Sequence, residues 1–140
     1  MPLNDAKTED TRAWHRKALG DLAKARHAMI ANEPFLDDAV YHCQQSIEKA
    51  MKAYLTWYDV PFRKTHSLEE LGRLCLAIDQ TLLILVDQAA PLSEYAWKFR
   101  YPGEEELPSL AETEEALAIA QAILDAITTR LSAVIQAQRS

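Results

Sequence analysis

Apolar residues recur every three or four positions along most of this chain, and that spacing predicts helices. The clearest stripe lies between residues 40 and 58 and consists of Val40, Cys43, Ile47, Ala50, Met51, Tyr54 and Tyr58. At about 100° per residue these positions form one face of a helix. Gln44 falls inside the stripe and Glu48 lies at its edge. The buried amide of Gln44 needs hydrogen-bond partners or costs about 1–3 kcal/mol. Two interpretations of Gln44 stay open, a brace for a neighbouring helix end or part of a site.

Proline and the apolar spacing together bound the first two helices. The first is predicted from about Thr11 to Ala31, because proline disfavours helix in the residue before it. The second is predicted from about Pro34 to Tyr58 and should end before Pro61. The inward face of the first helix is expected to carry Trp14, Ala18, Leu22, Ala25 and Met29.

A capping-box match marks the start of a third helix. Ser67 and Glu70 have the spacing at which a hydroxyl and a carboxylate satisfy each other's backbone amides. A fourth helical region should cover about Gln80–Phe99 and be kinked or broken at Pro91. Its run 82–86 is apolar on every side, which predicts a centrally buried turn. The inward residues of the third helix should be Leu68, Leu71, Cys75 and Ile78.

The last helix begins at a second capping-box match, Ser109 with Glu112. Its apolar seam has a seven-residue repeat, which suits a bundle and also a dimer. Only 3 glycines are present and no alternating run of β-branched residues competes with helix. The sequence therefore predicts an all-α fold, an up-and-down bundle of four to five helices in a single domain over residues 1–140. The seam residues are Leu117, Ala120, Leu124, Ile127, Leu131 and Val134.

The formal net charge of −6 argues against a broad basic surface for nucleic acid. One acidic run contains no basic residue, and its members are Glu104, Glu105, Glu106, Glu112, Glu114 and Glu115. A smaller basic group consists of Arg63, Lys64, His66, Lys98 and Arg100. Either cluster alone is explained as solvated surface.

The cysteines and histidines give no support for a metal site or a cofactor. Cys43 and Cys75 lie on apolar helical faces and are expected to be reduced and buried in a cytoplasmic protein. No Cys-x-x-Cys and no paired histidines at helical spacing are present. His15 and His27 are expected at the surface or at a helix edge. The longest apolar run is too short to span a bilayer, so no membrane segment is expected.

Four segments of the chain carry a pattern in a fixed order. Asp21–Ala25 lies within the predicted first helix, and Phe35–Leu55 contains Gln44-Gln45, Glu48-Lys49 and Lys52-Ala53. Lys64-Thr65-His66-Ser67-Leu68 follows as a loop, and Arg100-Tyr101-Pro102-Gly103 precedes the last helix. In this order and spacing the segments resemble the HEPN family, the higher-eukaryote and prokaryote nucleotide-binding domain. The resemblance extends from about Arg16 to the final helix.

This resemblance implies a helical bundle that is usually a homodimer. Such domains are often encoded beside a minimal nucleotidyltransferase, and the two act as a toxin–antitoxin-like pair. Many are metal-independent ribonucleases whose motif is an arginine, four to six residues and a histidine. His15, His27, His42 and His66 have no arginine at that spacing, so the ribonuclease motif is absent.

The candidate ligand-binding residues gather around the predicted start of the third helix. A helix start offers free amides to a phosphate or carboxylate, and Lys64 and His66 directly precede it. Lys52 would contribute from the second helix, and an aromatic ring next to Arg100 could stack on a base. The candidates are Gln45, Glu48, Lys52, Lys64, His66, Arg100 and Tyr101. The alternative is that the loop side chains only brace the backbone.

Two functions therefore compete. The first is a non-catalytic binding module, a HEPN homodimer that pairs with a nucleotidyltransferase protein and contacts a nucleotide. The second is a metal-independent ribonuclease toxin with a divergent site. There His66 would transfer protons, and Arg63 or Arg100 would stabilise the phosphorane charge. The absent motif favours the first function, with no catalytic residue of its own.

Overall fold

The second helix, Leu36–Trp57, is the centre of the bundle and contacts the first helix, the third helix and the long last helix. The structure, a computed structural model, describes residues 2–102 and 107–136. Within those residues there is no strand, so the predicted all-α bundle is confirmed. Two 3-10 segments, Gln80–Leu82 and Ala90–Ala96, flank α4. The α-helices are α1 Pro2–Met29, α2 Leu36–Trp57, α3 Leu68–Ile78, α4 Leu83–Ala89, α5 Leu110–Arg130 and α6 Ser132–Gln136.

The apolar stripe of α2 forms the middle of the hydrophobic core. From Val40 to Tyr54 its residues are at most 1% exposed, and only Tyr58, beyond the helix end, is 46% exposed. The same core contains most of the predicted inward residues of α1 and most of the predicted seam, including Ala18, Leu22 and Leu124. Met29 and Val134 lie outside this cluster, and Met29 is only half-buried. Burying a large apolar side chain contributes about 1.5–3 kcal/mol. The α5 seam is therefore used inside the bundle.

The first two helix boundaries differ from the prediction at their N-terminal ends. Helix α1 begins at Pro2, nine residues before the predicted Thr11. Nothing between these positions breaks a helix, and proline suits a first turn because it lacks only an amide that would have no partner there. Helix α2 begins at Leu36, after Phe35, so Pro34 precedes the helix.

The fourth helical region consists of three short pieces, which are α4 and the 3-10 segments before and after it. Pro91 lies at the start of the second 3-10 segment, as expected for a residue without a backbone N–H. The prediction of a centrally buried turn is wrong, because Leu83 is 50% and Ile84 is 72% exposed. Leu82 and Val86 are buried, since residues four apart share one face of the helix.

The two predicted capping boxes have different outcomes. At α5 the box is complete, with Ser109 and Glu112 exchanging side-chain-to-backbone hydrogen bonds. At α3 the Ser67 hydroxyl accepts from the Glu70 amide at 3.1 Å, but the return bond is not formed. The Glu70 carboxylate instead makes a bidentate pair with Arg63.

Candidate functional site

A carboxylate buried on α2 is the centre of the site. Glu48 is 3% exposed. Its Oε2 accepts from Lys52 Nζ at 2.8 Å. Its Oε1 accepts from His66 Nδ1 at 2.8 Å and from Gln44 Nε2 at 3.2 Å. A buried carboxylate is costly unless it is paired, and here three donors surround it.

Gln44 fixes the loop that carries His66. Its Nε2 also donates to the His66 backbone oxygen at 3.0 Å, and its Oε1 accepts from Gln45 Nε2 at 2.6 Å. Gln44 is fully buried and Gln45 is 7% exposed. Gln44 is therefore a brace, acting on the loop before α3 while also joining the Glu48 network.

His66 is the member of this network that reaches solvent, with a side chain 68% exposed. Its Nδ1 faces the Glu48 carboxylate. When Nδ1 carries the proton of a neutral imidazole, Nε2 is an unprotonated acceptor at the surface. When the ring is protonated, Nε2 is a donor beside a fixed negative charge. The pair therefore presents an oriented ring nitrogen that accepts or donates a hydrogen bond.

Lys52 is enclosed rather than presented to a ligand. It is 6% exposed, and its Nζ lies 5.3 Å from the ring centre of Trp14 and 5.7 Å from that of Phe62. Rings at this distance attract an ammonium group through their negative faces. Together with Glu48 they satisfy the charge of Lys52 inside the bundle, so its role is to hold Glu48.

Most of the amides at the helix start of Ser67 already have side-chain acceptors. The Ser67 amide donates to Thr65 Oγ1, and the Leu68 amide donates to Ser93 Oγ at 2.8 Å. The Glu70 amide is taken by the Ser67 hydroxyl. Three amides at this helix start are therefore already bonded, and a ligand here would depend mainly on side chains.

The predicted basic group is divided between two places. Lys64 is exposed in the same loop as His66. Arg100 instead pairs with Asp38 at 2.9 Å and lies 4.1 Å from the ring centre of Tyr41. Asp38 precedes Glu48 by ten residues, about 15 Å along α2. Arg100 therefore lies outside the Glu48 network.

The other candidates near these two places are also accounted for. Tyr101, beside Arg100 in the chain, is 66% exposed. Arg63 is committed to Glu70, and Lys98 pairs with Glu94 at 3.1 Å. In the acidic run, Glu114 and Glu115 are exposed on α5, and Glu104–Glu106 lie outside the described residues.

Sequence reasoning missed a second buried polar cluster between α1 and α2. Asp21 is 5% exposed and accepts from Lys49 Nζ at 2.6 Å and from His42 Nδ1 at 2.9 Å. The signal was available, because Asp21 lies next to Leu22 and within one turn of Ala18 on the inward face. This cluster joins the two helices that carry most of the core.

His15 was expected at the surface or at a helix edge, and it does not lie at the surface. His15 is 5% exposed, and its Nε2 lies 2.9 Å from Thr128 Oγ1 of α5. Burial lowers the pKa of His15, because a charged imidazole would lose its hydration. His15 is one position from the predicted inward residue Trp14, which places it at the α1–α5 contact. His27, by contrast, is exposed.

The remaining chemistry of the described chain is sparse. Cys43 and Cys75 are buried, and burial raises the pKa of each thiol to about 12. Among the described residues no group of three or more His, Cys, Asp or Glu side chains is arranged to hold a metal ion. None of the helices in that part of the chain combines the length and the apolar character that a membrane crossing requires.

The fold and the site together define a class, an all-helical bundle in which a buried carboxylate holds the imidazole of an inter-helix loop. A model of the HEPN domain matches residues 11–131, most of the 140-residue chain. The chain therefore belongs to the HEPN domain family, a family of nucleotide-binding and ribonuclease-type modules. No curated protein and no solved structure matches the chain.

Proposed function

We propose that this chain is a non-catalytic HEPN binding module that contacts a nucleotide phosphate through His66 and Lys64. It would act in the cytoplasm as a homodimer beside a minimal nucleotidyltransferase partner, in a toxin–antitoxin-like pair. The observation that carries the proposal is the hydrogen bond from His66 Nδ1 to the buried Glu48 carboxylate, 2.8 Å long. It leaves Nε2 as the second ring nitrogen of a largely exposed side chain, in the same loop as the exposed Lys64.

Electrostatics support an anionic ligand at this point. The exposed Lys64 supplies a cation within the same short loop as His66, whose second ring nitrogen can hydrogen-bond to a phosphate oxygen. The cation acts at close range, because salt screens exposed charges beyond about 8 Å at physiological ionic strength. Binding that depends on this contact should be weak and should weaken further with added salt.

The placement of the arginines supports a binding role over a catalytic one. Metal-free RNA cleavage needs a cation that stabilises the phosphorane charge near the proton-transfer group. Arg63 is paired with Glu70. Arg100 is paired with Asp38, which lies about 15 Å from Glu48 along α2. Among the described residues, no arginine is paired or hydrogen-bonded with His66 or Glu48.

Titration with ATP and GTP, followed by NMR chemical shifts, tests the nucleotide contact. We expect shifts at His66 and Lys64 at millimolar nucleotide, and we expect His66→Ala and Lys64→Ala each to weaken binding several-fold without loss of helicity. Glu48→Gln should weaken binding less than His66→Ala, because Glu48 only positions the ring. His27→Ala is the matched control, since His27 is an exposed histidine outside this loop.

Three results would contradict this proposal. Absence of any shift at millimolar nucleotide would show that the protein does not bind a nucleotide. Shifts confined to Arg100 and Tyr101 would move the site to the other basic group. Equal loss of binding in His27→Ala and His66→Ala would show a nonspecific charge effect. The protein partnership is tested separately, by co-purification with the product of an adjacent nucleotidyltransferase gene.

The ribonuclease remains the second candidate because a carboxylate–imidazole pair is also the usual form of a general base. Purified protein incubated with labelled single-stranded and structured RNA in the presence of a chelator tests this function. We expect no cleavage. Cleavage that His66→Ala abolishes, and that Glu48→Gln reduces with a shifted pH profile, would replace the binding proposal with a divergent ribonuclease.

A further inference from the structure

Gly20 has no role in the packing of its own chain. It lies in the middle of α1, and a Cβ built on it would meet nothing within 4 Å. Glycine weakens a helix interior relative to alanine. Packing within the chain does not explain a glycine at this position, because a larger side chain would fit there. Gly72 is the contrast, because its Cβ would lie 2.5 Å from Val86 Cγ1. Gly20 instead leaves room for a close approach from outside.

Unpaired cations surround Gly20. A groove of about 270 Å³ is lined by Gly20 together with Arg16, Lys17, Lys24 and other residues of α1 and α2. Arg16, Lys17 and Lys24 make no ion pair or hydrogen bond within the described part of the chain. In a protein of net charge −6, this face of α1 is a local positive surface that complements an acidic one.

Helix α5 carries the complementary surface. Its exposed face has carboxylates at Glu114 and Asp125, separated by the small, exposed Ala118 and the half-buried Ala122. Asp125 Oδ1 accepts from Gln121 within the same helix at 2.8 Å. A depression of about 470 Å³ runs along this face and is bounded on the α1 side by Arg26, which is bonded to Gln121. Small residues between charges allow two helices to pack closely while their charges pair at the edges.

The helices that carry these two surfaces, α1 and α5, are neighbours in the bundle. Helices α1 and α5 are tied by the His15–Thr128 contact and by a hydrogen bond from Arg26 to Gln121. Interpolation between these ties places Asp125 level with about residue 20. Arg16 and Lys24 each lie four residues from Gly20, about 6 Å along the axis. A two-fold axis parallel to the helices would therefore bring Asp125 of one copy over Gly20 of the other, between two cations.

We propose that the face formed by α1 and α5 is the interface of a homodimer, in which α1 of each copy packs on α5 of its partner. This inference rests on the homodimer of the proposed function and names its surfaces. A second copy is favoured over nucleic acid because the chain supplies both complementary halves. Leu19, 47% exposed, and the exposed Ala23 lie on α1 within one turn of His15 and Arg26, which contact α5, and they suit a protein partner. The apolar seam of α5 is already buried within each chain.

A charge swap tests the interface with the chain itself. Arg16→Glu with Lys24→Glu makes α1 acidic, and Glu114→Lys with Asp125→Lys makes α5 basic. Light scattering coupled to gel filtration should show the wild type as a dimer at tens of micromolar and each variant as a monomer. The two variants mixed should form a heterodimer, because both of its helix contacts are again between opposite charges.

Two further measurements keep the test independent of folding. Gly20→Leu should keep its helicity, since the position is open, yet it should shift the protein to a monomer by blocking the close approach. Arg63→Glu with Arg73→Glu carries the same charge change outside this face and should leave the dimer intact. Circular dichroism checks that every variant is folded.

The outcomes separate this inference from the proposed function. A wild-type monomer would overturn both the homodimer and the interface, while nucleotide binding at His66 would be judged by its own titration. A dimer unaffected by the swap would overturn the interface alone. A swap that abolishes binding of labelled RNA while the dimer persists would assign the α1 groove to nucleic acid and overturn the inference.

Discussion

A carboxylate buried as deeply as that of Glu48 is stable only while its donors stay in place. Removing one partner of a buried ion pair commonly costs about 3–5 kcal/mol, because the other charge is left without compensation. Lys52 supplies the opposite charge, while Gln44 and His66 satisfy the second oxygen. The geometry that presents His66 to solvent is therefore a consequence of how Glu48 is stabilised.

The two described glycines should respond oppositely to the same substitution. Gly72→Ala places a methyl group against Val86 and should destabilise the protein by about 1–3 kcal/mol, since overpacking shifts α3 from α4. Gly20→Ala should stabilise the folded chain by about 0.5–1 kcal/mol through helix propensity alone. Urea unfolding at two protein concentrations measures both changes and separates association from folding. If both substitutions changed the free energy of unfolding in the same direction, this account of the two glycines would be wrong.

Among the elements, the turn between α3 and α4 depends on one carboxylate. Asp79 Oδ1 accepts from the Thr81 amide and hydroxyl, and its Oδ2 accepts from Arg130 Nε at 2.9 Å. These bonds, those from Thr81 first, lower the pKa of Asp79 from 3.8 to about 2. The residue thus caps the first 3-10 segment and ties it to the end of α5.

The depressed pKa makes this tie sensitive to acid. A carboxylate whose pKa is lower in the folded state stabilises the protein above its unfolded pKa, and that contribution is lost as the pH falls through the folded value. Asp79→Asn should therefore be less stable than wild type at neutral pH, and the difference should shrink between about pH 4 and pH 2. Urea unfolding across this range measures the difference. Asp87→Asn, an exposed change on α4, is the control and should show no such trend.

For the whole molecule, one continuous core predicts one cooperative unfolding transition. The buried apolar residues of α1, α2, α3, α4 and α5 belong to a single cluster, against which Trp14 and Trp57 pack. Single domains below about 150 residues usually unfold in two states. In a Trp97→Phe variant the remaining fluorescence comes from Trp14 on α1 and Trp57 on α2. Far-ultraviolet circular dichroism reports on all the helices. The two urea transitions should coincide, and separate midpoints would show that the chain contains two units.

The apolar pattern alone was enough to predict most of the architecture. Helix α2, the inward faces of α1 and α3, the buried cysteines and the capping box at Ser109 all follow from local periodicity and hydrogen-bond chemistry. These features depend on residues within one or two turns of each other, which a single sequence displays directly. The same holds for the family, whose loop and helix segments resemble known ones in order and spacing.

Contacts between distant segments decided the rest. Sequence marked Gln44, Glu48 and His66 as notable, but only the packing of the loop on α2 joined them through hydrogen bonds. The packing also places Arg100 outside that network. Three amides at the start of α3 donate to side-chain oxygens, one of them from the distant Ser93. The sequence by itself determined which helices form and which faces they bury, because those depend on local spacing. Only the tertiary structure decided which polar groups meet, because partners 18 or more residues apart, such as Glu48 and His66, are set by the packing of whole helices.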